Sequence, residues 1–132
     1  TLFPYTTLFR SKRSISDAGR TFGRSGGLVR AVKGSLEKIN TDKKINTIQA
    51  EGLKDCIKTL NLAQAGHYSN SFIEGMGCSG GCVGGPGTLM DSKKTRDQIN
   101  HFGAQAEVKE AINNEKAQKL LAEIGENQFH RF

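Results

Sequence analysis

The stretch Glu74-Gly75-Met76-Gly77-Cys78-Ser79-Gly80-Gly81-Cys82-Val83-Gly84 constrains this chain most, because it sets two thiols four positions apart in a segment almost bare of side chains. Glycine tolerates φ > 0 and has no Cβ, so such a segment favours a cradle for a bulky group over a packing element. The plainer alternatives are a Gly-rich turn with two unrelated thiols, or a local disulfide. Cys-x-x-x-Cys supplies soft thiolate ligands, which suit iron–sulfur clusters or zinc far better than magnesium or calcium. A four-ligand site needs two further partners. The candidates His67, His101, His130 and Cys56 stand at no familiar zinc-module spacing. A thioredoxin-like pair is disfavoured as well, since that motif has two residues between its cysteines and opens a helix.

The chain of 132 residues suits one modest domain or a piece of a larger one. With 16 Gly, no Trp and few aromatic residues, core-filling side chains are scarce, which points to a piece. Net charge is +6, and the imbalance is local: residues 1–50 hold ten Lys/Arg against three Asp/Glu, residues 51–132 nine against ten. A patch of Lys12, Arg13, Arg20, Arg24 and Arg30 suits an acidic partner or solvent better than nucleic acid, because no nucleic-acid motif or aromatic stacking platform accompanies it. Three cysteines, an odd count, and no visible secretory signal make a reducing, cytoplasmic setting the expectation. No apolar run is long enough for a membrane-spanning helix.

The periodicity predicts an α/β arrangement with a parallel β-α-β unit, flanking helices and a helical C-terminal tail. Phe22-Gly23-Arg24-Ser25-Gly26-Gly27 is a glycine turn feeding a helix from Gly27 to Ile39, with Ser25 as its N-cap and free amides that could cradle a phosphate. The alternation in Ile45–Ala50 predicts a strand, and Leu53, Cys56, Ile57 and Leu60 mark the apolar stripe of a helix ending near Gly66. On that stripe Cys56 reads as core packing. Ser71–Ile73 predicts a second strand, parallel to the first across a helical crossover. The Cys/Gly loop then leaves its carboxyl end, the edge where ligands bind in open α/β sheets. Asp91 or Ser92 caps a helix running to about Glu110. Asn114 caps another over Lys116–Ile124, with Ala117, Leu120, Leu121 and Ile124 as its buried stripe and Gly125 as its stop. Glu74, at a strand end beside a thiol, reads as a hydrogen-bonding residue before a proton relay.

Residues Glu74 to Gly85 resemble the last cysteine motif of [FeFe]-hydrogenases, E-x-M-A-C-P-G-G-C-x-x-G-G-G, with Glu74, Met76, Cys78, Gly80, Gly81, Cys82, Gly84 and Gly85 matching. Phe22–Gly27 resembles that family's F-G-x-T-G-G turn, in the same order and at a similar separation, and Asn113–Leu121 faintly resembles its terminal helix. The resemblance implies that Cys78 ligates a [4Fe-4S] cubane and that Cys82 bridges the cubane to a di-iron subcluster, together the H-cluster. Met76 would line the di-iron pocket, while Gly80, Gly81, Gly84 and Gly85 would let the backbone approach the cofactor. The implied reaction is reversible reduction of protons to hydrogen, with ferredoxin as electron partner.

Gly77 replaces the family's Ala, Ser79 its Pro, and Pro86-Gly87-Thr88-Leu89 stands where a third glycine and Gln-Pro would follow. The family's other cubane cysteines and its proton-relay cysteine belong to upstream motifs that this sequence lacks. Residues 12–132 are therefore expected to be the C-terminal part of such a catalytic domain, inactive without its N-terminal half. Residues 1–11 resemble a translated sequencing-adapter remnant rather than native sequence. Two other readings are a non-catalytic iron–sulfur homologue, for assembly or sensing, and a small zinc-binding interaction module.

Overall fold

The computed structural model describes residues 15–39 and 44–125. The segments run α1 (Asp17–Arg20), α2 (Gly27–Lys38), β1 (Asn46–Glu51), α3 (Leu53–Gln64), β2 (Ser71–Met76), a 3₁₀ turn at Cys82–Gly84, α4 (Ser92–Ala104), a second 3₁₀ turn at Ala111–Asn113 and α5 (Glu115–Ile124). The class is α/β, as the hydrophobic periods predict. β1 and β2 pair in parallel, from Asn46 opposite Ser71 to Glu51 opposite Met76, with α3 as the crossover between them. β2 extends past Ile73, because Gly75 and Met76 still find partners in Ala50 and Glu51.

α3 lies against both strands, α2 against β2 and α1, and α4 against α1 and the Cys82–Gly84 turn. Ala18, Val29, Ala31, Ala50, Val83 and Ala106 form the buried apolar core, all small side chains. The largest fully buried side chains are Glu74 and Thr21, both polar. Thr21 is satisfied by the Asp17 and Ala18 carbonyls, which its hydroxyl meets at 3.2 and 3.1 Å. Hydrogen bonds therefore organise the centre of this fold as much as apolar contact does.

Several expected boundaries shift for local reasons. The N-cap of α2 is Gly26, in the left-handed region at φ 77°, and not Ser25, whose amide is drawn into the Cys/Gly loop. α4 ends at Ala104 rather than near Glu110. The chain after it turns so that the Val108 and Lys109 carbonyls accept from the Asp17 and Ala18 amides, two otherwise unpaired donors at the start of α1. Asp91 and Asn114 do cap α4 and α5, each side chain accepting from two amides of the following turn.

Two apolar stripes expected to be buried are exposed. Leu53, Ile57 and Leu60 on α3 are 70%, 58% and 61% exposed, and only Thr59 of that helix is buried. On α5 no residue is buried, and Leu120, Leu121 and Ile124 all face outward. A two-stranded sheet with this few helices cannot cover them. Among the described residues no helix is long and apolar enough to cross a membrane.

Candidate iron–sulfur loop

The two glycine-rich motifs, more than fifty residues apart in sequence, form one structure. The Ser25 amide donates to the Gly80 carbonyl at 3.1 Å, and the Val83 amide donates to the Gly23 carbonyl at 3.2 Å. Between these bonds Arg24 and Gly81 form an antiparallel bridge. Gly81 is required there on two counts. Its φ of +86° is left-handed, and a Cβ would lie 2.6 Å from the Ser25 nitrogen. What approaches the bare backbone at Gly81 is thus the chain's own 23–25 turn.

Two carboxylates, one within β2 and one at the end of β1, fix this assembly. Glu74, 2% exposed, accepts from the Gly26 amide at 2.9 Å and from the Leu28 amide at 3.1 Å, so a residue of β2 caps α2. The amides that the sequence offered as a phosphate cradle are occupied by this side chain. Glu51, the last residue of β1, accepts from the Gly80 amide at 2.9 Å and so holds the loop between the two cysteines. The Ser25 hydroxyl, then the Gly80 amide, and more weakly the Arg96 charge keep the Glu51 carboxyl below its usual range, against a small opposing desolvation. Sequence reasoning missed Glu51. Its signal was faint: a carboxylate at the end of a strand, immediately before Gly52.

The amides of Gly80, Gly81, Gly84 and Gly85 are committed within the protein. Gly81 donates to the Cys78 carbonyl, Gly84 to the Gly81 carbonyl and Gly85 to the Cys82 carbonyl. What glycine allows is close approach, most directly at Gly85, where a Cβ would crowd Cys78 Sγ at 3.3 Å. Cys78 is half-buried and Cys82 exposed, and both are free thiols. Met76 lies just before them, at the last paired position of β2, its carbonyl accepting from the Gly52 amide at 2.8 Å. Cys56 is not part of this group. Its thiol, half-buried, points at the Met76 and Ala50 carbonyls, 3.5 and 3.7 Å away.

The donor set fits half of a cluster site. Two soft, free thiols stand on one hydrogen-bonded loop, with the bare backbone of Gly85 against one sulfur, which suits iron–sulfur ligation. Among the described residues no three His, Cys, Asp or Glu side chains come together. His67 is exposed and His101 sits beside Gln105 with its Nε2 3.1 Å from that amide nitrogen; His130 lies outside the described residues. A Cys₂His₂ zinc site is not assembled among them.

The expected basic patch is largely structural. Arg30 pairs with Asp17 at 2.8 Å, and Arg20 donates to the Phe102 carbonyl while lying over the Phe102 ring. Lys12 and Arg13 lie outside the described residues.

A parallel β-α-β unit carrying a paired-thiol loop at its carboxyl edge, the edge where α/β sheets bind ligands, and locked to a glycine turn, defines an α/β domain. The model of the family described as iron only hydrogenase large subunit, C-terminal domain, matches residues 6–86, and the chain belongs to that family. The matched residues take in the glycine turn, both strands and the Cys/Gly loop; they begin inside the 1–11 stretch and end at Pro86, ahead of α4 and α5. No curated protein matches the chain.

Proposed function

We propose that the chain is the C-terminal portion of an iron-only hydrogenase catalytic domain, spanning residues 12–132, and that Cys78 and Cys82 are two ligands of its [4Fe-4S] cluster. The observation that carries this reading is the pair of free thiols on a loop tied down by two carboxylates, Glu74 ahead of it through the glycine turn and Glu51 at Gly80 between the cysteines. When bound in the intact domain, the H-cluster of cubane and di-iron subcluster supplies the redox chemistry of proton reduction. Cys82, the more exposed thiol, would ligate both parts of that group, and Cys78 the cubane. Gly85 would leave the cofactor access beside the Cys78 sulfur, while Met76, Gly80, Gly81 and Gly84 would set the course of the loop that carries both sulfurs.

The other cluster ligands must come from the N-terminal half of the domain, so the chain alone does not turn over. That half is also the partner proposed for the exposed stripe of α3. Ferredoxin is the proposed electron donor, in a cytoplasmic setting. The test is complementation: the chain is combined anaerobically with the upstream half from a family member, matured, and assayed for hydrogen evolution from a reduced donor. Hydrogen evolution that needs both pieces and is lost in Cys82→Ser supports the reading. A reconstituted pair that holds the cluster but evolves no hydrogen overturns the catalytic part and favours a sensory or assembly role.

A further inference from the structure

The iron–sulfur reading leaves one cleft beside the loop unused. It encloses about 410 Å³ and is lined by Ser79 and Gly80 but by neither cysteine. Three cations face it, Arg24 from the glycine turn and Lys93 and Arg96 from the first turns of α4, with the Ser92 hydroxyl beside them. Its one carboxylate, Glu51, already accepts from the Gly80 amide. Asp17–Arg30 is an ion pair elsewhere, and among the described residues none of these three cations has a carboxylate within salt-bridge distance.

Arg24 shows the imbalance most clearly. Its Nη1 donates to the Ser25 carbonyl at 2.9 Å, but its Nε is buried with no hydrogen-bond partner. A buried guanidinium donor left unpaired is costly, and it leaves Arg24 under-satisfied where its side chain lines the cleft. Burial first, then the charges of Arg30 and Arg96, hold the Arg24 pKa below its usual value, and the more weakly felt charges of Glu74 and Asp17 do not offset them.

We propose that this cleft binds a phosphate group. Two guanidinium forks and an ammonium match a dianion with several acceptor oxygens, and the hydroxyls at Ser79 and Ser92 add donors at the rim. The volume exceeds what a bare phosphate fills and falls in the range of small-ligand pockets, so a phosphate ester also fits. The site is independent of iron, and its occupant would sit against the residues joining Cys78 to Cys82.

Calorimetric titration of the full chain at constant ionic strength tests this, with inorganic phosphate and a nucleoside 5′-monophosphate as separate probes. The exposed residues Arg96 and Lys93 are each changed to Ala, and Lys119→Ala on α5 serves as the charge-matched control. Saturable binding, weakened about tenfold or more in Arg96→Ala and in Lys93→Ala but unchanged in Lys119→Ala, supports the site at the level expected for one lost charge-assisted contact. A tighter monophosphate identifies an ester as the occupant, and equal affinity identifies the free ion. Absence of saturable binding by either probe overturns the proposal. So does equal weakening in all three variants, which marks diffuse charge attraction.

Discussion

The Glu74 carboxylate lies 2.9 Å from the amide of Gly26, joining residues that stand 48 apart in sequence. Its second oxygen takes the Leu28 amide, so one side chain both caps α2 and anchors the strand that delivers the cysteine loop. The glutamate that opens the family's cysteine motif thus has a structural task in this chain, tying that motif to the glycine turn.

Glu74→Gln keeps the shape and removes the charge, and it turns an amide group toward a backbone donor. Loss of one charge-assisted bond and weakening of the other should cost about 2–3 kcal/mol of stability. Urea unfolding of the chain reads this directly. An unchanged midpoint would show that the clamp contributes nothing.

Gly81→Ala should be far more damaging than Gly87→Ala, although both glycines have φ near +85°. A Cβ at Gly87 meets nothing within 4 Å and carries only the backbone cost of about 1 kcal/mol, whereas at Gly81 it collides with the 23–25 turn. Thermal unfolding should separate the two variants, and Cys78 should alkylate faster only in Gly81→Ala. Equal behaviour would mean that the turn and the loop are not locked together.

Stability should fall in acid through two carboxyls whose folded pKa values are depressed. The Arg30 hydrogen bond is the main cause at Asp17, and at Glu51 the Ser25 hydroxyl and the Gly80 amide. A depressed carboxyl stabilises fully above its unfolded value, near 3.8 for Asp and 4.5 for Glu, and loses that contribution as pH falls through the lower folded value. Asp17→Asn should cost about 1 kcal/mol at neutral pH, since its partner is partly exposed, and should flatten the acid limb below about pH 4. Denaturant midpoints from pH 7 to 2.5 check this; a parallel decline in the variant would remove Asp17 from the account.

Leu60→Lys on α3 should change the stability of the chain by less than about 0.5 kcal/mol, because Leu60 is 61% exposed. The same change should reduce binding of a hydrophobic dye and weaken association with the upstream half of the domain. A large loss of stability would show that the stripe is already covered.

The strands, crossover and caps were legible in the sequence because each has a local signal: alternation in Thr47–Ala50, Asp91 before α4, Asn114 before α5 and Gly125 after it. Local signals also located the cysteine loop. What could not be read locally was set by distant partners. Ser25 does not cap α2, because Glu74 takes the amides there and Gly80 takes Ser25's own. α4 stops early because the carbonyls beyond it are needed at Asp17 and Ala18. The stripes of α3 and α5 have correct helical periodicity, but periodicity says which residues share a face and not whether anything covers it.

The central claim is that Cys78 and Cys82 are half of a cluster's ligands. Anaerobic reconstitution of the chain with iron, sulfide and an excess of a small thiol tests it most directly, since free thiolates can stand in for the absent pair. Electron paramagnetic resonance after reduction should show a [4Fe-4S] signal in the parent chain that disappears in both Cys78→Ser and Cys82→Ser while Cys56→Ser retains it. A cluster that survives in the Cys78→Ser/Cys82→Ser double variant, or a parent chain that takes up zinc and no iron, would contradict the account.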